Sequence, residues 1–203
     1  GSKSYMWVYR SGHLYKDKQI VLYDYHKTRN SSHPREFLKN YSGICVTDGY
    51  QVYHKVEKEQ EDLRIAGCWV HARRKFDEAL NVVPKEQRKK SNAYLVMKQI
   101  QAIYREEGKL QELPPDERLM QRQLVIKPLV DALFVYLKKM EPIVPSSGQL
   151  RKAYTYILNQ EKYLRVFLED GEVPIDNNAS ERAIRGFCIG KKNWQMIDTI
   201  NGA

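Results

Sequence analysis

The sequence predicts a mixed α/β fold in which strands come first, a long helical stretch interrupts them, and one helix closes the chain. Three observations predict it. Aromatic and β-branched residues crowd the opening third, in SYMWVY (4–9), QIVLYDY (19–25) and ICVT (44–47). Helical periodicity then dominates from Val70 to about Asp170. Finally Ile175 to Trp194, IDNNASERAIRGFCIGKKNW, sets acids beside asparagines at a helix start and follows them with cations.

Each element has its own signal. Ser4–Tyr9 and Gln19–Tyr25 flank the turn-like Arg10-Ser11-Gly12-His13 and are expected to pair as an antiparallel hairpin. Ser31-Ser32-His33-Pro34 offers N-cap chemistry and a first-turn proline to a short helix through Phe37, Leu38 and Tyr41, which Gly43 ends. The strand Ile44–Thr47 runs straight into Asp48-Gly49-Tyr50. A helix over Tyr50–Glu59 and a strand over Leu63–Trp69 follow. Beyond them, Ala72, Phe76, Ala79 and Leu80 make one apolar helical face, and Leu95, Ile100, Ile103 and Tyr104 another. Leu124, Leu129, Leu133 and Leu137 suit a third, and Tyr154, Ile157, Leu158, Leu164 and Phe167 a fourth region. Breaks fall at Pro84, Pro114-Pro115, Pro142 to Pro145 and Gly171. The expected organisation is a core in two parts, 1–69 and 171–203, around a helical insertion at 70–170.

Bulk properties narrow the function classes. The 203 residues carry 34 Lys plus Arg against 25 Asp plus Glu, a formal charge of +9 and a pI near 9.3, a bias toward polyanions. Three widely spaced cysteines, Cys45, Cys68 and Cys188, point to a reducing compartment rather than a disulfide scaffold. No apolar run approaches a membrane span, since even Pro128–Leu137 is interrupted by Asp131. The opening Gly1-Ser2 looks like a cloning scar, so the natural chain is expected to extend further.

Chemistry concentrates at three places, each with two readings. Asp48 ends a buried strand where a glycine opens the turn; it either points into a crevice at the strand's carboxyl end or simply accepts backbone N–H bonds in the turn. Glu181 falls three residues after Asn178, as in a capping box, yet it could equally be a metal ligand. Asp176 either ligates metal or favours the helix N-terminus through the dipole. Cys68-x-x-His71 invites zinc, but no second Cys/His pair has suitable spacing. His71, Arg74, Lys75 and Glu78 share a helical face opposite Ala72 and Phe76, a basic surface suited to phosphate. Trp194 suits a base stack or the core. P-loop, HExxH and EF-hand patterns are absent.

Taken together, YMWVYRSG, IVLYDYHKTR, FLKNYSGICVTDGYQVY, CWVHARRKF, IDNNASERAIRGFCIGKKNW and the closing INGA resemble the IS66 family of bacterial insertion-sequence transposases. TDGY, CWxHARRKF and DNNxxER are specific in combination. The resemblance implies an RNase H-like mixed sheet with flanking helices and a DDE triad, two Asp and one Glu holding two Mg²⁺. By motif match Asp48 is the second Asp and Glu181 the Glu, both metal ligands and catalytic. His71 is a further catalytic candidate, to contact the scissile phosphate or order water, or else simply a helix-face histidine packed at the surface. Cys68-x-x-His71 is similar to a motif that follows the second Asp in several eukaryotic DDE families.

Arg73, Arg74, Lys75, Arg182, Arg185, Lys191 and Lys192 are the expected contacts to double-stranded DNA, at transposon ends and target. The resemblance further implies a homo-oligomer in the active complex and a bacterial cytoplasmic, nucleoid-associated setting, without membrane. The family's first Asp lies on a strand preceding Tyr5. No acid occurs before Asp17, which belongs to the hairpin turn, and Asp24 does not match the motif. The triad is therefore expected to be incomplete in this stretch, which alone should be inactive for strand cleavage and hold no metal. A non-catalytic DNA-binding module and an RNase H-like nuclease or resolvase are the alternatives.

Overall fold

The computed structural model describes residues 5–12 and 19–193, with 186–193 described by backbone alone. The fold is mixed α+β with small sheets. Strands β1 (Tyr5–Arg10) and β2 (Val21–His26) form the antiparallel hairpin, in a register that runs from Tyr5↔His26 to Arg10↔Val21. Trp7 is the buried residue of β1 and meets Tyr50 and Tyr53 at ring distances of 6.3 and 6.1 Å, while Tyr9 stacks on Phe37 at 3.5 Å. The turn holding Asp17 lies outside the described residues.

Helix α1 (Ser32–Leu38) starts as expected around Pro34 but stops at Leu38, leaving Tyr41 exposed. Its cap sits one residue earlier than expected: Asn30 Oδ1, not a serine hydroxyl, accepts the Ser32 N–H at 2.9 Å. Strand β3 (Gly43–Thr47), helix α2 (Gln51–Glu59) and strand β4 (Leu63–Gly67) then form a parallel βαβ unit, with Gly43 opposite Leu63 and Thr47 opposite Gly67. Leu38, Val56, Leu63 and Ile65 make its small core. The sequence suggests that β4 runs to Trp69, but Trp69 opens helix α3 (Trp69–Asn81). Its backbone N–H goes to Ile175 O at 3.1 Å and its indole N–H to Leu164 O at 2.8 Å, so neither polar group is left to continue the β3–β4 ladder.

The larger core lies among helices α3, α4 (Asn92–Gly108), α6 (Lys127–Met140) and α7 (Gln149–Asn159), around Trp69, Phe76, Ile100, Phe134 and Tyr154. Two expected core leucines are exposed, Leu95 at 45% and Leu124 at 65%. Ala93, Val96, Met97, Ile100 and Ile103 already fill the buried stripe of α4, which leaves Leu95 at its edge. Leu124 sits in a π turn, Arg122–Ile126, which widens the helix path after α5 (Pro115–Gln121) and brings Arg122 inward instead. After α7 come α8 (Glu161–Leu164) and a 3₁₀ turn at Val166–Leu168, and α9 (Asn178–Asn193) ends the described chain.

Two buried arginines fasten the segment that leads into α9. Arg118 donates to the carbonyls of Leu110 (3.1 Å), Leu113 (2.7 Å) and Gly171 (2.5 Å). Arg122, fully buried, pairs with both oxygens of Glu107 and donates to Phe167 O (2.8 Å) and Asp170 O (2.7 Å). At Gly171 the backbone passes so close to Pro115 that an added Cβ would lie 1.9 Å from its carbonyl oxygen.

Candidate active site

Parallel pairing of β3 and β4 brings their carboxyl ends to one side of the molecule, where ligands of such sheets collect. Asp48 follows β3 there and Cys68 follows β4, one position beyond the Thr47↔Gly67 pair. Asp48 does make the expected turn: its Oδ1 accepts the Tyr50 N–H at 3.0 Å, and Gly49 takes φ +81°, a conformation other residues rarely adopt. The turn and the crevice coexist, because Asp48 also lines the cleft described below.

The start of α9 is tied to the same end of the sheet. Besides the Trp69–Ile175 backbone bond, the Asn177 N–H donates to Cys68 Sγ at 3.4 Å. Burial pushes the Cys68 thiol up to about 11, so it stays a neutral acceptor. Backbone N–H groups of Ser180 and Glu181 bond to Asn177 O, at 2.9 and 3.1 Å, so the helix is entered from Asn177. The capping box drawn from Asn178 does not form. The Asn178 N–H donates to Asp176 Oδ1 at 3.0 Å, and the Glu181 carboxylate turns toward α3.

There, Glu181 Oε1 lies 3.1 Å from His71 Nε2, an ion-pair distance without hydrogen-bond alignment, and Oε2 lies 3.4 Å from Arg74 Nη2. Cys68 and His71 thus serve different partners, one gripping Asn177 and the other facing Glu181, which is not how two ligands of one zinc ion are arranged.

Asp48, His71, Asp176 and Glu181 all line one cleft of about 980 Å³. Every residue of β1 and of β3 also lines it. Side chains alternate between faces along a strand, so a cleft touching all of them runs along the strand edges. Among the described residues, β1 pairs only with β2 and β3 only with β4, which leaves those two edges facing the cleft without strand partners.

The cations fall on neighbouring surfaces. Arg73 and Arg74 are exposed on α3, Lys75 is half-buried 3.4 Å from Glu78, and Arg182 and Arg185 are exposed on the first turns of α9. Lys191 and Lys192 belong to α9, but their side chains, like Trp194, lie outside what is described.

Two residues of the site escaped the sequence reading. Tyr104, on α4, donates its hydroxyl to Asp176 Oδ2 at 3.2 Å, and Asp176 is only 8% exposed with both oxygens engaged. Burial and the Asp176 charge hold the Tyr104 phenol far above its ordinary value, so it remains a donor. Tyr156, on α7, donates to the Asp48 carbonyl at 3.3 Å, and burial raises its phenol as well. The usable signal was the hydroxyl itself: a tyrosine within an apolar helical stripe needs a partner for its oxygen.

Residues 1–203 match the family model described as Transposase IS66 family, and the chain belongs to that family. It is similar to three uncharacterized proteins of Sinorhizobium fredii. Protein y4hP is 29% identical over 185 residues, which are 86% of this chain and 34% of the relative. Protein y4qI is 29% identical over 210 residues (99% and 38%), and y4jD 25% over 187 residues (90% and 36%). The chain therefore spans about a third of the length of these relatives. No solved structure matches it.

Proposed function

We propose that this chain is the catalytic part of a DDE transposase, cutting DNA at transposon ends and joining the freed ends to target DNA. The observation that carries the reading is the shared cleft: Asp48 and Glu181, remote in sequence, line one pocket, and His71 lines it too, 3.1 Å from Glu181. On this reading 1–69 and 171–203 are two parts of an RNase H-like core, and 70–170 is an insertion between them.

Oxygen donors suit Mg²⁺ in kind, as a hard cation requires. In number they fall short, since no group of three or more metal-ligating side chains comes together among the described residues. The reading supplies the third carboxylate from a strand preceding Tyr5, laid between the free edges of β1 and β3. Bound there by Asp48, Glu181 and that third acid, a metal pair would supply Lewis-acid stabilisation of the phosphate and an activated water.

The chain's own residues do the rest. His71, beside Glu181, orders the attacking water or holds a phosphate oxygen. Arg73, Arg74, Lys75, Arg182, Arg185, Lys191 and Lys192 grip the DNA backbone and set its register. Water attacks phosphorus and the bond to the 3′ oxygen breaks, leaving a 5′-phosphate and a free 3′-OH. That 3′-OH then attacks a target phosphorus, forming the new P–O bond as the target's own P–O3′ bond breaks and releases a target 3′-OH. Pairing of two transposon ends implies a homo-oligomer working in the bacterial cytoplasm. No helix among the described residues is long and apolar enough to cross a membrane.

The test is metal-dependent cleavage of a transposon-end duplex by the full-length protein. Asp48→Asn and Glu181→Gln should each retain DNA binding yet lose more than the roughly 10–100-fold that follows loss of an outer-shell partner. Cleavage at the parental rate by either variant sinks the triad assignment. A second reading, a DNA-binding module whose acids are structural, draws on the Asp48–Tyr50 turn and the Glu181–Arg74 pair. It predicts salt-sensitive DNA affinity and no Mg²⁺-dependent cutting at all.

A further inference from the structure

We propose that Tyr104 and Tyr156, on two different helices between β4 and α9, are positioning residues that hold the Glu181 and Asp48 turns in place at the head of the cleft. The inference rests on the metal-site reading above and assigns that site its braces.

Both carboxylates sit on turns. Asp48 lies between the end of β3 and a glycine at φ +81°, and Glu181 is in the first turn of α9. Turns at element ends move unless something ties them. The Tyr156 hydroxyl ties the first through the Asp48 carbonyl, 3.3 Å away. The Tyr104 hydroxyl ties the second through Asp176 Oδ2, 3.2 Å away, while Asp176 Oδ1 accepts the Asn178 N–H that begins the helix. Asp176 is therefore a link and not a free ligand.

Removing the Tyr104 hydroxyl would leave a buried carboxylate oxygen without its partner. The Asp176 carboxylate then shifts toward solvent, and the Asn178 N–H bond it holds at the first turn of α9 loosens with it. Helices α4 and α7 both pack on α3, which carries His71, so all three groups are referred to one rigid element. A metal site needs its ligands held to about 0.5 Å, which is what such braces provide.

The experiment uses Tyr104→Phe and Tyr156→Phe in the full-length protein, with Glu181→Gln as reference, and Mn²⁺ as the probe. Each Phe variant should keep parental DNA affinity but bind Mn²⁺ about tenfold more weakly. In the Glu181→Gln background, Tyr104→Phe should weaken Mn²⁺ no further. Amide exchange over 176–183 should quicken in Tyr104→Phe while α6, which the hydroxyl does not touch, keeps its protection.

Parental Mn²⁺ affinity and exchange in both Phe variants would overturn the positioning roles while leaving the metal site standing. Equal weakening by Tyr104→Phe in the parent and Glu181→Gln backgrounds would also overturn them, because the effect would then not pass through Glu181. Should Glu181→Gln alone leave Mn²⁺ affinity unchanged, the metal-site reading itself falls and the braces fall with it.

Discussion

Gly49 shows how narrowly the site is built at the scale of one residue. Its φ of +81° is strained for any side chain, and an added Cβ would lie 2.7 Å from the Tyr156 hydroxyl oxygen. Gly49→Ala should therefore destabilise the protein by about 1–3 kcal/mol, read as a lower urea midpoint. Tyr156→Phe in the same chain should return part of that loss, because one of the two clashing groups is gone. A Gly49→Ala variant as stable as the parent would mean the turn after Asp48 is free to relax. Cys68 makes a similar point by a different route: a buried neutral thiol takes the Asn177 N–H and works as a local fastener.

At the scale of elements, the segment entering α9 depends on α4, α5 and the π turn that follows. The π turn rotates Arg122 into the core, where Glu107 and the carbonyls of Phe167 and Asp170 surround it. Breaking such a buried pair from one side leaves a charge stranded, so Arg122→Met should cost about 3–5 kcal/mol in urea unfolding. Arg122→Met with Glu107→Leu should recover much of it, since well-packed apolar replacements of a buried pair are often tolerated. A single-variant loss below about 1 kcal/mol would show that the pair is not desolvated as the geometry has it. The parallel β3–α2–β4 unit acts at the same scale, by fixing which end of the sheet Asp48 and Cys68 share.

Over the whole molecule, the hairpin and the parallel pair are separate sheets among the described residues, and each borders the cleft along the whole of one strand, β1 and β3. Arg73 and Arg74 are exposed on α3 and Arg182 and Arg185 on α9, and under the proposed function these are the side chains that meet the DNA backbone. Duplex binding should weaken steeply with salt, and removing a cation that neutralises one phosphate should flatten the log–log slope by about 0.9. Arg73→Ala, Arg182→Ala and Arg185→Ala test this one side chain at a time. Slopes unchanged in all three variants would place the DNA elsewhere on the surface.

The local sequence determined the strands, the helix between β3 and β4 and the Asp48 turn, because alternation, glycine and proline act over a few residues. It also carried the family, through TDGY, CWVHARRKF and DNNASER. What only the tertiary structure decided were the partners of the polar groups. Tyr104 meets Asp176 across 72 positions and Tyr156 meets Asp48 across 108, and no periodicity encodes such distances. The same holds for Asn177 displacing Asn178 at the head of α9, and for Leu124 yielding its inward place to Arg122. Hydrophobic patterning states that a residue is to be buried; which hydroxyl, thiol or carbonyl it finds there depends on how the helices stack.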